Sequence, residues 1–194
     1  MESVQIVPGL VVDETMFRAA ADSLASHAPE EHFTWERFTD ENNWTLIPDP
    51  DSDGYKAEFL VQRTPGRMLK INVWFKPDLR DGQRPRPHNH PWEFTAFILM
   101  GGYTEQRYEV VDGKVKTTTQ VHQAGEQNHL PLSTFHEVTE ILSEPGKTLT
   151  LMVCGEGRTG DWGYIDPETG EFEVNQPDLG FRARLEDLNP RLRS

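Results

Sequence analysis

Hydrophobic and polar residues alternate along the middle of the chain in short segments that turn-forming residues separate. Alternation with a period of two predicts half-buried β-strands, because successive side chains of a strand point to opposite faces. The predicted strands are 57–63, 68–76, 93–100, 103–111, 114–122, 127–130, 136–141 and 148–154. Pro-Gly, Gly-Gly and Asp-Gly pairs between these segments favour tight turns. Short strands with frequent turns predict an antiparallel, all-β sandwich or barrel.

The two ends of the chain follow other patterns. Residues 13–26 have apolar side chains at helical spacing and Asp13 as an N-cap, which predicts an amphipathic helix. Asp166 to Gly170 predict a further hairpin turn between short strands at 163–165 and 171–174. The predicted organisation is an N-terminal helical and irregular extension (1–56), a barrel (57–175) and a polar tail (176–194). The tail is expected to lie along the surface or to pair with another subunit.

Composition narrows the class of protein. A chain of 194 residues with 36% hydrophobic and 26% charged residues is typical of one globular domain. Its net charge of −13 argues against binding nucleic acid, and we find no apolar run of the roughly 20 residues that a membrane span needs. A single cysteine, Cys154, excludes an internal disulfide bond. Without a visible secretory signal, these features favour a cytoplasmic protein.

Three histidines are the candidate chemistry. His88 and His90 are two residues apart, so on a strand both imidazoles would point to the same face. His136, on another predicted strand, could complete a face of three nitrogens with open positions for water, oxygen or substrate. Imidazole suits zinc, iron, nickel and copper alike, so the identity of a bound metal stays open.

The spacing around these histidines resembles the two sequence motifs of the cupin superfamily. The residues at motif spacing are Gly82, His88, His90, Gly101, Gly125, Pro131 and His136. The chain departs from the motifs at Phe94, Ser133 and Glu140, where cupins have Glu, Gly and Asn. The segments His-Asn-His-Pro-Trp-x-Phe and Gly-Gly-Tyr-x-Glu are also similar to a group of small bacterial and phage cupins. The resemblance implies an all-β fold with a single jelly-roll barrel, also called a double-stranded β-helix, and often a homodimer.

The departure at Phe94 matters for the metal. Cupins commonly add a glutamate to three histidines, and strand parity puts that glutamate at position 94. Glu93 would point to the opposite face unless a β-bulge turned it inward. We therefore expect a centre of three histidines with an apolar wall at Phe94. This arrangement resembles cysteine dioxygenase and related cupins, in which substrate and oxygen both coordinate iron(II).

Several residues near the histidines are candidates for further roles. Tyr103, Glu105 and Arg107 alternate on one strand, so they either face the barrel interior and act on substrate or form an ordinary salt-bridged outer face. If Glu105 faces inward, an apolar pocket would raise the pKa of its carboxyl group and make it a candidate general base. The predicted pocket residues are Trp92, Phe94, Asn128 and Trp162. His122 and His129 are expected at the surface or the barrel rim.

Three functions are compatible with this pattern. The first is a dioxygenase that acts on a small anionic or chelating substrate at an iron(II) centre. The second is a lyase, isomerase or hydrolase that uses zinc, manganese or nickel as a Lewis acid. The third is a metal-poor barrel that binds a ligand or acts as a structural partner. Four arginines lie near the candidate site and either attract an anionic substrate or are ordinary surface residues: Arg80, Arg84, Arg86 and Arg107.

Overall fold

The computed structural model describes residues 3–51, 53–79, 85–157, 162–176 and 178–193. The first half of the chain contains β1 (Ser3–Val7), β2 (Leu10–Asp13), α1 (Glu14–His27), α2 (Trp35–Thr39), β3 (Trp44–Pro48), β4 (Gly54–Thr64), β5 (Arg67–Trp74) and β6 (Phe94–Met100). The second half contains β7 (Gly102–Val111), β8 (Lys114–Gln123), β9 (Gln127–Leu130), β10 (Phe135–Ile141), β11 (Thr148–Cys154), β12 (Gly163–Ile165), β13 (Phe172–Val174) and α3 (Phe181–Leu188). Within the described ranges, none of the helices has the length and apolar character needed to cross a membrane.

Two antiparallel sheets form the body of the molecule. One has six strands in the order β3-β4-β5-β11-β6-β9, and the other has three in the order β10-β7-β8. Side chains from both sheets meet between them, as where the rings of Trp74 and Tyr103 lie 6.2 Å apart. Non-sequential neighbours such as β5, β11 and β6 are typical of a jelly roll. The predicted all-β barrel with an N-terminal helix is confirmed.

The main apolar core lies on the outer face of the six-stranded sheet. Alternate residues of β4, β5 and β11 point outward and pack against α1, α2 and the β1–β2 hairpin. The sheet contributes Ala57, Phe59, Val61, Leu69, Ile71, Val73, Leu149 and Leu151, and α1 contributes Met16, Ala20 and Leu24. Asp13 caps α1 as predicted, because its carboxylate accepts a hydrogen bond from the Met16 N–H at 3.0 Å. The N-terminal extension is therefore part of the core.

The inner face of the same sheet carries polar and charged side chains. Lys56 and Glu58 alternate with the outward-facing Ala57 and Phe59 on β4, and Asn72 on β5 is fully buried opposite Thr150 on β11. The interior also holds apolar side chains such as Phe94, Ala96 and Met152, so buried charges and apolar residues together surround the space where a ligand can bind.

Both ends of the chain are more ordered than the sequence pattern indicates. The extension contains the β1–β2 hairpin, α2 and β3, and the predicted boundary at residues 56 and 57 falls inside β4. The tail lies along the surface but forms α3, which the sequence analysis did not predict. Asn189, after α3, accepts a hydrogen bond from the Leu46 N–H and donates one to the Leu46 carbonyl, both at 2.8 Å. The tail thus satisfies backbone groups of the edge strand β3.

Candidate metal centre

His88 and His90 lie in the loop before β6, and an isolated bridge to β10 fixes their position. The His88 N–H donates to the His136 carbonyl at 3.1 Å, and the His136 N–H donates to the His88 carbonyl at 2.9 Å. Asn89 points away from the histidines and anchors the loop, accepting from the Gly163 N–H at 2.8 Å and donating to the Leu132 carbonyl at 3.1 Å. The two imidazoles therefore share a face because of this local pairing and not because of a continuous strand.

The three imidazoles converge on one point. One ring nitrogen from each of His88, His90 and His136 lies within 4.8 Å of those of the other two. The ring centroids form a nearly equilateral triangle with sides of 4.9, 5.0 and 5.1 Å. His88 and His136 are buried and His90 is half-buried. The structure thus brings together all three histidines that the sequence predicted.

The spacing of these nitrogens fits a single metal ion. The Nε2 atoms of His90 and His136 are 2.9 Å apart. Two nitrogens that each lie about 2.1 Å from one ion, at a right angle, are about 3 Å apart. Without a cation between them, two imidazole nitrogens at this distance need a proton that one donates to the other. With a cation between them, both nitrogens can direct their lone pairs at it. The donor set is therefore suitable for a divalent metal.

Glu105 sets the orientation of His136. Its Oε1 atom lies 2.6 Å from His136 Nδ1, and the carboxylate is fully buried. A carboxylate accepts hydrogen bonds, so it keeps the imidazole proton on Nδ1 and leaves the Nε2 lone pair facing the other histidines. This is the tautomer that a metal ligand needs.

Glu105 faces the interior, which is one of the two predicted alternatives. The predicted rise in the pKa of its carboxyl group is wrong. Burial alone would raise the pKa, yet hydrogen bonds from His122 and His136 and the charge of Arg107 hold it far below its usual range. The Oε2 atom is 3.1 Å from His122 Nε2 and accepts from Arg107 Nε at 3.0 Å and Asn128 Nδ2 at 3.1 Å. Glu105 is therefore an ionised partner that accepts a hydrogen bond from His136.

His122 also differs from its expected position. It is 8% exposed, and its ring lies 5.2 Å from that of Tyr103. Because strand β8 is otherwise mostly exposed, its polar alternation gave no sign of this inward turn near its end. His129 is exposed, in agreement with the expected location at the surface or rim.

A cavity of about 30 Å³ adjoins the histidines inside the barrel. It is lined by Lys56, Trp74, Asp78, His90, Phe94, Ala96, Tyr103, Asn128, Leu130, His136, Val138, Thr150 and Met152. Phe94 forms an apolar wall, with its ring 5.0 Å from the His90 ring in an edge-to-face arrangement. Glu93 is exposed, so it lies on the other side of the strand from Phe94.

Two of the predicted pocket residues do not line this cavity. Trp92 lies beyond His90, with ring centroids 6.4 Å apart, and borders a separate surface depression together with Met68 and Gly157. Trp162 lies beside Tyr164 at the β12–β13 hairpin, with ring centroids 6.5 Å apart. The other two predicted pocket residues, Phe94 and Asn128, line the cavity. The Asn128 amide is bonded to Tyr103 and Glu105, and its oxygen accepts from Arg107.

Two charged cavity residues were missed by the sequence analysis. The Asp78 carboxylate lies 3.9 Å from His88 Nε2, and a bridge to Val138 fixes the Asp78 backbone. Lys56 was assigned to the irregular extension, although its alternation with Ala57 and Phe59 was visible in the sequence. That alternation does not reveal whether the charged face of a strand lies toward solvent or toward a polar interior.

The arginines that the sequence places near the site have different positions. Arg107 contacts Glu105 and Asn128 as described above. The Arg86 guanidinium lies 3.9 Å from the Tyr164 ring centroid and 3.4 Å from the Glu173 carboxylate, outside the cavity. Arg80 and Arg84, as well as Gly82 of the first motif, fall outside the described residues.

Solved structures of cupin type are similar to this chain at low sequence identity. An RmlC-like cupin from Shewanella frigidimarina NCIMB 400 matches with a TM-score of 0.42 and 16% identity, over 66% of this chain and 94% of that one. KdgF from Halomonas sp. matches with a TM-score of 0.38 and 16% identity, over 54% of this chain and 82% of that one. Hydroxypropylphosphonic acid epoxidase from S. wedmorenis matches with a TM-score of 0.41 and 10% identity, over 59% of this chain and 56% of that one. Neither a comparison with protein-family models nor one with curated proteins finds a match.

Proposed function

We propose that this protein is a metal-dependent enzyme that acts on a small anionic substrate at a divalent metal held by His88, His90 and His136. The observation that supports the proposal is the convergence of three imidazole nitrogens within 4.8 Å of one another beside an internal cavity. Three neutral ligands leave the charge of a divalent ion uncompensated and up to three octahedral positions open, which favours an anion as the ligand.

Iron(II) is the proposed metal and oxygenation the proposed reaction class. Iron(II) would supply redox chemistry toward oxygen, and three open positions provide room for both a substrate and an oxygen molecule. The assignment also follows the resemblance of the sequence to three-histidine cupin dioxygenases.

The protein residues hold and shield the site. Glu105 keeps the Nε2 lone pair of His136 directed at the centre, and Arg107 and Asn128 hold Glu105 in place. Phe94 covers one side of His90 with an apolar ring and excludes water from that side. The Tyr103 hydroxyl accepts a hydrogen bond from Asn128 at 2.9 Å and lies at the cavity wall, where it can donate to a substrate oxygen.

Elemental analysis of protein purified without a histidine tag or chelator tests the metal assignment. We expect about one divalent metal per chain, which is lost in His136→Ala and retained in His129→Ala, because His129 is an exposed histidine outside the cluster. A wild-type protein that binds no metal, even after anaerobic reconstitution with iron(II), contradicts the proposal.

Oxygen consumption separates the reaction classes. With iron(II) bound, we expect oxygen uptake that depends on one member of a panel of small carboxylates and hydroxy acids. Turnover of a substrate under anaerobic conditions, with zinc, manganese or nickel in place of iron, would instead assign the protein to the non-oxidative class.

A further inference from the structure

A cluster of buried charges lies on the cavity side of the six-stranded sheet. The Lys56 ammonium is 2.9 Å from Glu58 Oε1, and the Lys70 ammonium is 3.1 Å from Glu58 Oε2. The side chains of all three residues are less than one fifth exposed. Burying two cations with one anion is unfavourable unless further negative charge is nearby. Lys56 differs from Lys70 in that it also lines the cavity beside His90 and His136.

The surroundings keep Lys56 protonated. Burial would lower the pKa of its ammonium group, but the electrostatic effects of Glu58, Tyr55 and Asp78 and the hydrogen bond to Glu58 together outweigh burial and raise the pKa above its ordinary value. The ammonium also lies 5.2 Å from the ring centroids of both Tyr55 and Trp74, where cation–π attraction favours the charged form. The cavity therefore has a permanent cation in one wall and the histidine cluster in another.

The charges around the cavity indicate the charge of its ligand. The cavity lining includes one cation, Lys56, and one anion, Asp78, and the adjoining ion pairs Lys70–Glu58 and Arg107–Glu105 keep the charge of these six side chains balanced. The cations are Lys56, Lys70 and Arg107, and the anions are Glu58, Asp78 and Glu105. A divalent metal would add two positive charges to this balanced set. A ligand with two negative charges would restore neutrality in a site where unbalanced charge is costly.

We infer that the cavity selects small dicarboxylates, with one carboxylate at the histidine cluster and the second at the Lys56 ammonium. The inference rests on the proposed function, because the first carboxylate is expected to bind the metal. A cavity of about 30 Å³ has room for about two water molecules, so binding of a short dicarboxylate requires the surrounding side chains to move. The second carboxylate adds a charge-assisted hydrogen bond from Lys56, and Thr150 provides a hydroxyl group in the same wall.

Succinate and its half-amide succinamate test the inference, because they have nearly the same shape and differ by one charge. Their dissociation constants are measured by titration calorimetry on zinc-loaded protein, with malonate and malonamate as the shorter pair. We expect at least one diacid to bind about thirtyfold or more tightly than its half-amide, as is usual for a buried charged hydrogen bond. Wild-type protein that binds metal but discriminates less than about threefold in both pairs overturns the inference and leaves the proposed function intact.

Lys56→Met and Lys70→Met form a matched pair of variants. Each removes one buried ammonium bonded to Glu58, but Lys56 alone of the two lines the cavity. We expect Lys56→Met to abolish the preference for the diacid without changing metal content, and Lys70→Met to change the preference less than about threefold. Equal effects of the two variants would overturn the role of Lys56. If Lys56→Met does not fold, the dissociation constants of the diacids and half-amides for the wild-type protein decide whether the inference holds. If the wild-type protein binds no metal, the proposed function and the inference fail together.

Discussion

Replacing Glu105 by glutamine changes one atom of the buried carboxylate and is expected to disable a metal ligand. The Oε2 position accepts hydrogen bonds from Arg107 and Asn128, so the amide oxygen of a glutamine will occupy it. The amide NH₂ group then faces His136 Nδ1, which is 2.6 Å from the carboxylate oxygen in the wild-type protein. An amide donor forces Nδ1 to accept, so the imidazole proton moves to Nε2.

The consequence for metal binding follows from the position of that proton. His136 Nε2 is the atom 2.9 Å from His90 Nε2, and once protonated it has no lone pair for a metal. Losing the partner that orients a metal-bound histidine typically weakens metal affinity 10- to 100-fold, which corresponds to about 1.4–2.7 kcal/mol. We expect Glu105→Gln to show a loss in this range.

Competition with a chromophoric chelator measures the affinity, and ¹⁵N NMR of the imidazoles reports the tautomer of His136. Glu137→Gln is the matched control, because Glu137 is a buried glutamate that accepts from the Arg86 N–H at 2.5 Å and the Tyr108 hydroxyl at 3.3 Å. If Glu105→Gln binds metal within twofold of the wild-type affinity, the assignment of Glu105 as the residue that orients His136 is refuted.

Four further predictions concern single residues. Phe94→Glu places a carboxylate beside His90 and should retain or tighten metal binding in the chelator assay; a loss of more than about tenfold contradicts the geometry. Burial alone would raise the pKa of Glu58, but Lys56 and Lys70 lower it from 4.5 to about 2. Glu58 therefore stabilises the fold by about 3 kcal/mol above pH 4.5, and this contribution is lost as the pH falls toward 2. Urea denaturation of Glu58→Gln should therefore depend less on pH in this window than wild-type denaturation does. Burial raises the pKa of Cys154 to about 11, so Ellman's reagent should react with it only as fast as the protein unfolds. Met16→Ala should lower the free energy of unfolding by about 2–5 kcal/mol, since Met16 is fully buried against the sheet; a change below 1 kcal/mol would mean that α1 contributes little to the core.

The strand pattern of the barrel was predictable because its hydrophobic periodicity is local. The predicted segments 127–130 and 148–154 coincide with β9 and β11, and 114–122 differs from β8 by one residue. The β1–β2 hairpin was not predicted, and β3 lies in the segment 28–56, which was predicted to be irregular. β1 pairs with β2 and β3 pairs with β4, so each forms a hairpin with the next strand along the chain.

The metal ligands were also predictable, since His88, His90 and His136 have a characteristic spacing. The residues that contact these ligands were harder to predict. Glu105 is within reach of His136 only because β7 and β10 pair with a register in which Val138 lies opposite Glu105. The sign of the pKa shift of Glu105 depends on the donors that surround it, and parity along a strand reveals only which face a side chain occupies. The prediction of a raised pKa failed because it considered burial without these hydrogen bonds.

The location of the apolar core explains how the barrel accommodates so many buried charges. In a barrel whose interior supplies the core, Lys56, Glu58 and Asn72 would each displace apolar contacts and reduce stability. Here the outward-facing residues of the same strands pack against α1 and α2, so apolar burial accumulates on the opposite side of the sheet. The helices α1 and α2 and the β1–β2 hairpin, which complete the outer core, are on this view the elements that allow the interior to hold charged side chains.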